Sequence, residues 1–226
     1  MSRVFVITGA SSGIGAATAR RAAQAGYKLV LGARSKDKLD ALAQELGADN
    51  ALAVETDVTK WADNERLIAA AKDAFGQVDI VWANAGFGAS RGWLNETPEH
   101  WHDMVLTNVL GAAYTVRAAI PELKATKGHV LLTGSVAGRK ALPGSLYSST
   151  KWAVTGMSES IRQDLNGTGV RTTLLSPGGI ETPFFDNPAE GRLEPDDIAR
   201  AVLYALEQPP HVDINEIFVR PTAQEG

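Results

Sequence analysis

The apolar run Val4, Phe5, Val6, Ile7 feeds straight into Thr8-Gly9-Ala10-Ser11-Ser12-Gly13-Ile14-Gly15, and this junction limits the fold more than any other stretch of the chain. Four consecutive apolar residues make a short buried strand. Residues Ile14 to Ala25 follow as an alanine-rich run of good helix formers, ending at Gly26, a residue suited to closing a helix. Tyr27 to Arg34 then supplies a second apolar strand. Residues 1–50 therefore read as a βαβ unit with its glycines at the first βα turn. At such a turn the helix N–H groups and the positive end of the helix dipole face outward, and glycines let a phosphate approach the backbone. The turn reads as a seat for a pyrophosphate. The simpler reading, a tight turn with helix-capping residues, asks for the same residue types, so the rest of the chain has to decide.

Strands and helices keep alternating. Asn50–Val58 reads as a third strand, Lys60–Gly76 as a helix, Val78–Gly86 as a fourth strand and Pro98–Ala125 as a long helical stretch. Gly128–Gly138 follows as a fifth strand, Tyr147–Asn166 as a helix, Val170–Gly179 as a sixth strand, Glu194–Gln208 as a helix and Asp213–Pro221 as a last strand. Near-continuous apolar strands separated by helices imply a parallel sheet covered on both faces. The expected fold is α/β, a doubly wound, Rossmann-type parallel sheet of about seven strands with helices on both faces, formed by residues 1–226 as a single domain. Ligands of such a sheet lie beyond the carboxyl ends of the strands.

Composition narrows the chemistry. The formal charge is −4 and no dense Lys/Arg cluster occurs, so no nucleic-acid surface is expected. With no cysteine, disulfides, thiolate nucleophiles and Cys-ligated metals are excluded. No metal site is expected at His100 and His102, because an i,i+2 spacing on a helix points the two rings apart. The N-terminus shows no signal core and no apolar stretch reaches membrane-spanning length, so a cytoplasmic protein with no membrane contact is expected.

Four expected loops at one sheet edge are rich in glycine or small polar residues: Thr8–Gly15, Asn84-Ala85-Gly86, Gly134-Ser135 and Pro177-Gly178-Gly179. Tyr147 and Lys151, four apart at a helix start, rise from one face. An ammonium beside a phenol favours phenolate, and bringing a phenol from about 10 to near neutrality corresponds to roughly 4 kcal/mol of differential stabilisation. A tyrosine in that setting can exchange protons at physiological pH. The pair is also common on exposed helices that have no chemistry.

Thr8-Gly-x-x-x-Gly13-x-Gly15, Asn84-Ala-Gly86, Asn108, Ser135, Tyr147-x-x-x-Lys151 and the Pro177-Gly segment, in this order and spacing, resemble the short-chain dehydrogenase/reductase family in its compact single-domain branch. The resemblance covers essentially the whole chain. The C-terminal Pro209–Gln224 is similar to NADP-dependent 3-hydroxy-acid and serine dehydrogenase-like members. The resemblance implies that Tyr147 is the general acid or base toward a carbonyl or alcohol oxygen, that Ser135 orients that oxygen, and that Lys151 lowers the phenol's pKa and holds the nicotinamide ribose. It implies that Asn108 holds a water linking Lys151 to solvent. It places the pyrophosphate on Gly9, Ser11, Ser12, Gly13, Ile14 and Gly15, the adenine against Asp57 and Val58, and the adenosine over Asn84, Ala85 and Gly86. Pro177, Gly178, Ile180 and Thr182 fall at the carboxamide end, and helices 99–125 and 147–166 pair into a homodimer or homotetramer. The chain departs from the family in the short segment between Gly178 and Glu194, where Phe184 and Phe185 are candidates to close over a substrate.

Cofactor choice falls on the end of the second strand. The family's NAD enzymes carry Asp where this chain has Ala33, and Arg34 follows. A guanidinium grips a phosphate with two parallel hydrogen bonds, and Ala33 removes a repelling carboxylate. NADP(H) is the expected cofactor, with Ser12 and Ser35 as added hydroxyl donors. The expected substrate is a small carbonyl or secondary alcohol, and Arg139 is a candidate partner for a substrate carboxylate. Trp93 is a candidate pocket residue or a packing residue. A non-catalytic nucleotide sensor on the same fold remains the alternative, since such a sensor needs the glycine turn but not the Ser-Tyr-Lys set.

Overall fold

The computed structural model describes residues 2–181 and 191–224. The strands are β1 (Val4–Thr8), β2 (Lys28–Ala33), β3 (Ala51–Glu55), β4 (Ile80–Ala83), β5 (His129–Thr133), β6 (Arg171–Pro177) and β7 (Glu216–Val219). All pair in parallel in one sheet, in the order β3-β2-β1-β4-β5-β6-β7. The helices are α1 (Gly13–Gln24), α2 (Lys36–Leu46), α3 (Trp61–Phe75), α4 (Pro98–Val105), α5 (Ala112–Thr126), α6 (Leu146–Asp164) and α7 (Pro195–Leu206). This is the expected doubly wound sheet.

Side-chain alternation along each strand divides the core in two. Phe5, Ile7, Leu29 and Leu31 face α1, α2 and α7, packing with Ala16, Ala19, Leu39, Ile198 and Val202. Val4, Val6 and Val30 face the other way, toward Leu67 of α3, Val116 and Leu123 of α5 and Val154 of α6. Strands β1, β2, β4, β5 and β6 are thus covered on both sides, which is why β1, β2 and β4 read as unbroken apolar runs rather than alternation, whereas the edge strand β3 is only partly buried. On the inner face of α1, alanines Ala16, Ala19 and Ala22 are buried without bulk. An ion pair between Arg21 and Asp196 ties α1 to α7.

Three local differences from the sequence reading have physical causes. Helix α2 joins β2 to β3 in a stretch read there only as part of the βαβ unit. It is rich in charged residues and buries only Leu39 and Leu42. The long helix 98–125 is instead α4 and α5 joined by a π-helical turn, Leu106–Gly111. Strand β5 stops at Thr133, because the Ser135 hydroxyl accepts from the Ala137 N–H at 3.1 Å and opens a short 3₁₀ turn, Val136–Gly138.

The strand order reverses direction between β1 and β4, which opens a crevice at their carboxyl ends. The first and second glycine-rich loops both end there.

Candidate active site

The glycine turn is built for close backbone approach. Gly9 has φ of +66°, and a β-carbon there would come within 2.9 Å of the Ala85 Cα. A β-carbon on Gly15 would sit 2.4 Å from the Gly9 carbonyl and 2.9 Å from Asn84 Nδ2. Asn84 stitches this edge together: its Nδ2 donates to the Thr8 carbonyl at 2.9 Å, its N–H donates to Thr8 Oγ1 at 3.0 Å, and its Oδ1 accepts from Thr133 Oγ1 at 3.0 Å. Helix α1 begins after Ser12 with no side-chain cap and no acidic residue in its first turn. Its opening N–H groups and its positive dipole end are therefore unsatisfied from the protein side, the arrangement that accepts a phosphate.

Arg34 lies exposed directly after β2. It lines a groove of about 720 Å³ that also includes Val54, Asp57, Lys60 and Arg66. Burial raises the Asp57 carboxyl, but the Thr59 N–H and Oγ1 donors and the Lys60 ammonium at 3.6 Å outweigh it, and the net shift is downward. Val58 packs so closely on the π turn that a β-carbon on Gly111 would come within 2.6 Å of it.

At the ends of β4, β5 and α6 the expected catalytic residues come together. Ser145 caps α6 by accepting from the Ser148 N–H at 3.2 Å, which sets the direction of the Tyr147–Lys151 face. The Ser135 hydroxyl, oriented by its bond from Ala137, hydrogen-bonds the Tyr147 phenol. Lys151 is 5 % exposed, and its Nζ donates to the Thr133 carbonyl at 2.8 Å while lying 5.6 Å from the centroid of the Tyr147 ring. Gly86 leaves the space in which they meet, since a β-carbon there would be 2.9 Å from Asn108 Oδ1 and 3.8 Å from Lys151 Nζ.

Burial dominates the electrostatics. The Tyr147 phenol is pushed up to about 12, with the Ser135 hydrogen bond pulling the other way, and the Lys151 ammonium is pushed down to about 8. The spacing argument that Lys151 carries the phenol toward neutrality is not met in this geometry. Burying both groups disfavours the charged form of each, so the site holds a neutral phenol with a proton to give.

Asn108 sits in the π turn, which swings its side chain inward. Its Oδ1 accepts from the Phe87 N–H at 3.0 Å, and its Nδ2 donates to the Phe87 carbonyl at 2.9 Å and to Thr150 Oγ1 at 3.2 Å. The amide is thus spent on holding the Asn84–Phe87 loop against α6, and a water relay through Asn108 would have to use another of its atoms.

Other candidates fall elsewhere. Arg139 makes a two-pronged ion pair with Glu216, which also accepts from Ser176 Oγ at 2.6 Å, so its guanidinium braces the 3₁₀ turn to β7 rather than waiting for a substrate. Trp93 is 62 % exposed and stacks edge-on against Trp101. The His100 ring bonds the Gly88 carbonyl at 2.9 Å, whereas His102 lies beside Asp103. Pro177 ends β6, Gly178 donates to the Val219 carbonyl at 2.7 Å, and Ile180 is buried and bridges to Leu193. Thr182, Phe184 and Phe185 lie outside the described residues.

The family pattern for short chain dehydrogenases matches residues 3–192. The chain belongs to the short-chain dehydrogenase/reductase family. A relative from Staphylococcus haemolyticus, described as an uncharacterized oxidoreductase, is 42% identical over 224 residues, covering 97% of each chain. Among solved structures, an alcohol dehydrogenase from the archaeon Thermococcus sibiricus, complexed with 5-hydroxy-NADP, superposes with a TM-score of 0.93 at 36% identity, covering 100% of this chain and 99% of that one. The closed form of a serine dehydrogenase complexed with NADP+ gives a TM-score of 0.92 at 31% identity, covering 99% and 96%. This short-chain dehydrogenase/reductase is thus an oxidoreductase by family, and among its described residues no helix is long and apolar enough to cross a membrane.

Proposed function

We propose that the protein is an NADP(H)-dependent oxidoreductase that moves a hydride between nicotinamide and a small carbonyl or secondary alcohol, with 3-hydroxy acids as the first substrate class to test. The observation that carries the reading is the Ser135 hydroxyl bonded to the half-buried Tyr147 phenol, with the buried Lys151 ammonium beside them. A nucleotide sensor gains nothing from that arrangement. The similarity to a serine dehydrogenase supports the substrate class, since serine is itself a 3-hydroxy acid.

The residues present fit a phosphorylated dinucleotide. The uncapped start of α1, with Gly9, Ser11, Ser12, Gly13, Ile14 and Gly15, would hold its pyrophosphate. Asp57 and Val58 would hold the adenine, Asn84, Ala85 and Gly86 the adenosine, Arg34 the 2′-phosphate, Tyr147 and Lys151 the nicotinamide ribose, and Pro177, Gly178, Ile180 and Thr182 the carboxamide end. When bound, the nicotinamide supplies or accepts the hydride. The chain's own part is to place the substrate oxygen between two hydroxyls. Ser135 donates a hydrogen bond to it, and Tyr147 gives it a proton as the carbonyl becomes an alcohol, or takes that proton in reverse. Screening NADPH oxidation against aldehydes, ketones, β-keto esters and 3-oxo acids, and NADP+ reduction against 3-hydroxy acids, tests the proposal; nucleotide binding without turnover of any of them would contradict it.

The lowered Lys151 pKa fixes a pH dependence. Below about 8 the side chain is cationic, and above it the charge that would grip the ribose hydroxyls is lost. The ratio kcat/KM for NADPH, which reports groups of the free enzyme, should fall as pH rises through about 8. Tyr147, at about 12, adds no limb in this range. Lys151→Arg stays charged and should remove the fall from whatever activity it retains. A flat profile to pH 10 in the wild type would contradict this role.

Assembly follows from what the helices leave uncovered. Val105 and Leu110 on the α4–α5 helical stretch and Trp152 on α6 are large apolar residues turned to solvent. The proposal is a homodimer or homotetramer formed by pairing these helices. Light scattering at micromolar concentration should give a multiple of 24.0 kDa, and Trp152→Glu should lower it; a wild type of single-chain mass would refute the pairing.

A further inference from the structure

The end of the described chain folds back over the loop that follows β6. Pro221 is buried, and the Gln224 N–H donates to the Pro221 carbonyl at 3.0 Å, closing a turn that aims the Gln224 side chain at that loop. Its Oε1 accepts from the Gly179 N–H at 2.9 Å. The contact leaves no spare room, because a β-carbon on Gly178 would come within 2.3 Å of the same Oε1 and 3.0 Å of Pro221 Cδ. From the other side the Gly178 N–H is held by the Val219 carbonyl at 2.7 Å, and the Gly179 carbonyl accepts from the Leu193 N–H at 3.0 Å.

Two adjacent glycines have the widest choice of backbone conformations of any dipeptide. Here β7 fixes the first peptide group and a single side chain from the tail fixes the next. Without Gln224 the Gly178–Gly179 peptide group loses this tie and can turn between its two anchored neighbours, the Gly178 N–H on Val219 and the Gly179 carbonyl on Leu193, which loosens the entry to Ile180. We infer that Gln224 is a positioning residue for the dinucleotide: it holds the Pro177–Ile180 loop in the one orientation that supports the nicotinamide end. This rests on the cofactor reading proposed above, while the tie itself is a property of the protein alone.

The test compares Gln224→Ala with Gln224→Glu, which keeps an acceptor oxygen at the same reach. Three readouts are needed: NADPH affinity by fluorescence titration, amide hydrogen exchange at Gly179 in the protein without nucleotide, and the thermal midpoint. In Gln224→Ala the Gly179 amide should exchange faster and the Kd for NADPH should rise about fivefold, the scale of one neutral hydrogen bond. In the same variant kcat at saturating NADPH and the thermal midpoint should stay near wild type, and Gln224→Glu should restore both affinity and protection. Unchanged affinity in Gln224→Ala, with a wild type that binds NADPH, would overturn the inference and leave the proposed function standing. A loss of affinity that tracks a lowered thermal midpoint and is not rescued by Gln224→Glu would overturn it as well, by showing a structural role. A wild type that binds no NADPH would overturn the proposed function, and this inference with it.

Discussion

Tyr147→Phe is expected to lower kcat for carbonyl reduction at least about a hundredfold, the usual scale for losing a positioned general acid, with NADPH affinity falling by no more than about fivefold, the scale of the one hydrogen bond the phenol would give the ribose. The substitution removes one oxygen and keeps the ring, so the 5.6 Å approach of Lys151 to the ring and the packing of α6 survive. What goes is the phenol proton, on the hydroxyl that the Ser135 hydrogen bond orients. The pushed-up phenol is neutral throughout the working range, so the wild type is set to give a proton in the reductive direction and needs no prior ionisation. Oxidation of the alcohol needs the phenolate and should speed up with rising pH until the fall tied to Lys151 intervenes. Near-normal turnover in Tyr147→Phe, with binding intact, would remove Tyr147 from the chemistry.

Cofactor selectivity should turn on two adjacent residues at the end of β2. Arg34 is exposed after the strand, in a groove shared with Asp57, Lys60 and Arg66. A charged hydrogen-bonded contact to a 2′-phosphate contributes about 1.5–3 kcal/mol, so Arg34→Ala should cut kcat/KM for NADPH by about 10- to 150-fold and leave NADH nearly unaffected. Ala33→Asp should act from the other side, repelling the phosphate and offering a partner to an unmodified ribose hydroxyl, which moves preference toward NADH. Ala33 is itself buried in register with Glu55 of β3, so the new carboxylate would point toward an edge that already carries acid groups. A wild type that prefers NADH, or an Ala33→Asp variant that keeps its NADPH preference, would show that this strand end does not read the phosphate.

Short-range features were the readable ones. The apolar runs of β1 and β2 and the glycines between them announced the sheet and its crevice, because burial on both faces and close backbone approach leave direct marks on residue type. The spacing of Tyr147 and Lys151 put them on one helical face, and α6 places them so. What the sequence did not reveal depends on partners far along the chain. Nothing near Arg139 announces that Glu216, 77 residues on, will take its guanidinium. Gln224 lies 45 residues from Gly179 and looks like an ordinary tail residue. The π turn has no composition mark; it arises where Asn108 must reach Phe87 while Gly111 packs on Val58. The phenol's proton affinity went astray for the same reason, since spacing shows the neighbouring ammonium but not the burial of both groups.

The central claim is that this chain transfers a hydride and completes the alcohol with the Tyr147 proton. It is tested most directly with NADPH carrying deuterium at carbon 4 of the nicotinamide. Incubated with the carbonyl compound that best supports NADPH oxidation, the wild type should place deuterium on the carbinol carbon of the product, and Tyr147→Phe should do so at least about a hundredfold more slowly. Product without deuterium from the fully deuterated position, or tight NADPH binding with no labelled alcohol from any carbonyl class, would contradict the account and leave a nucleotide sensor in its place.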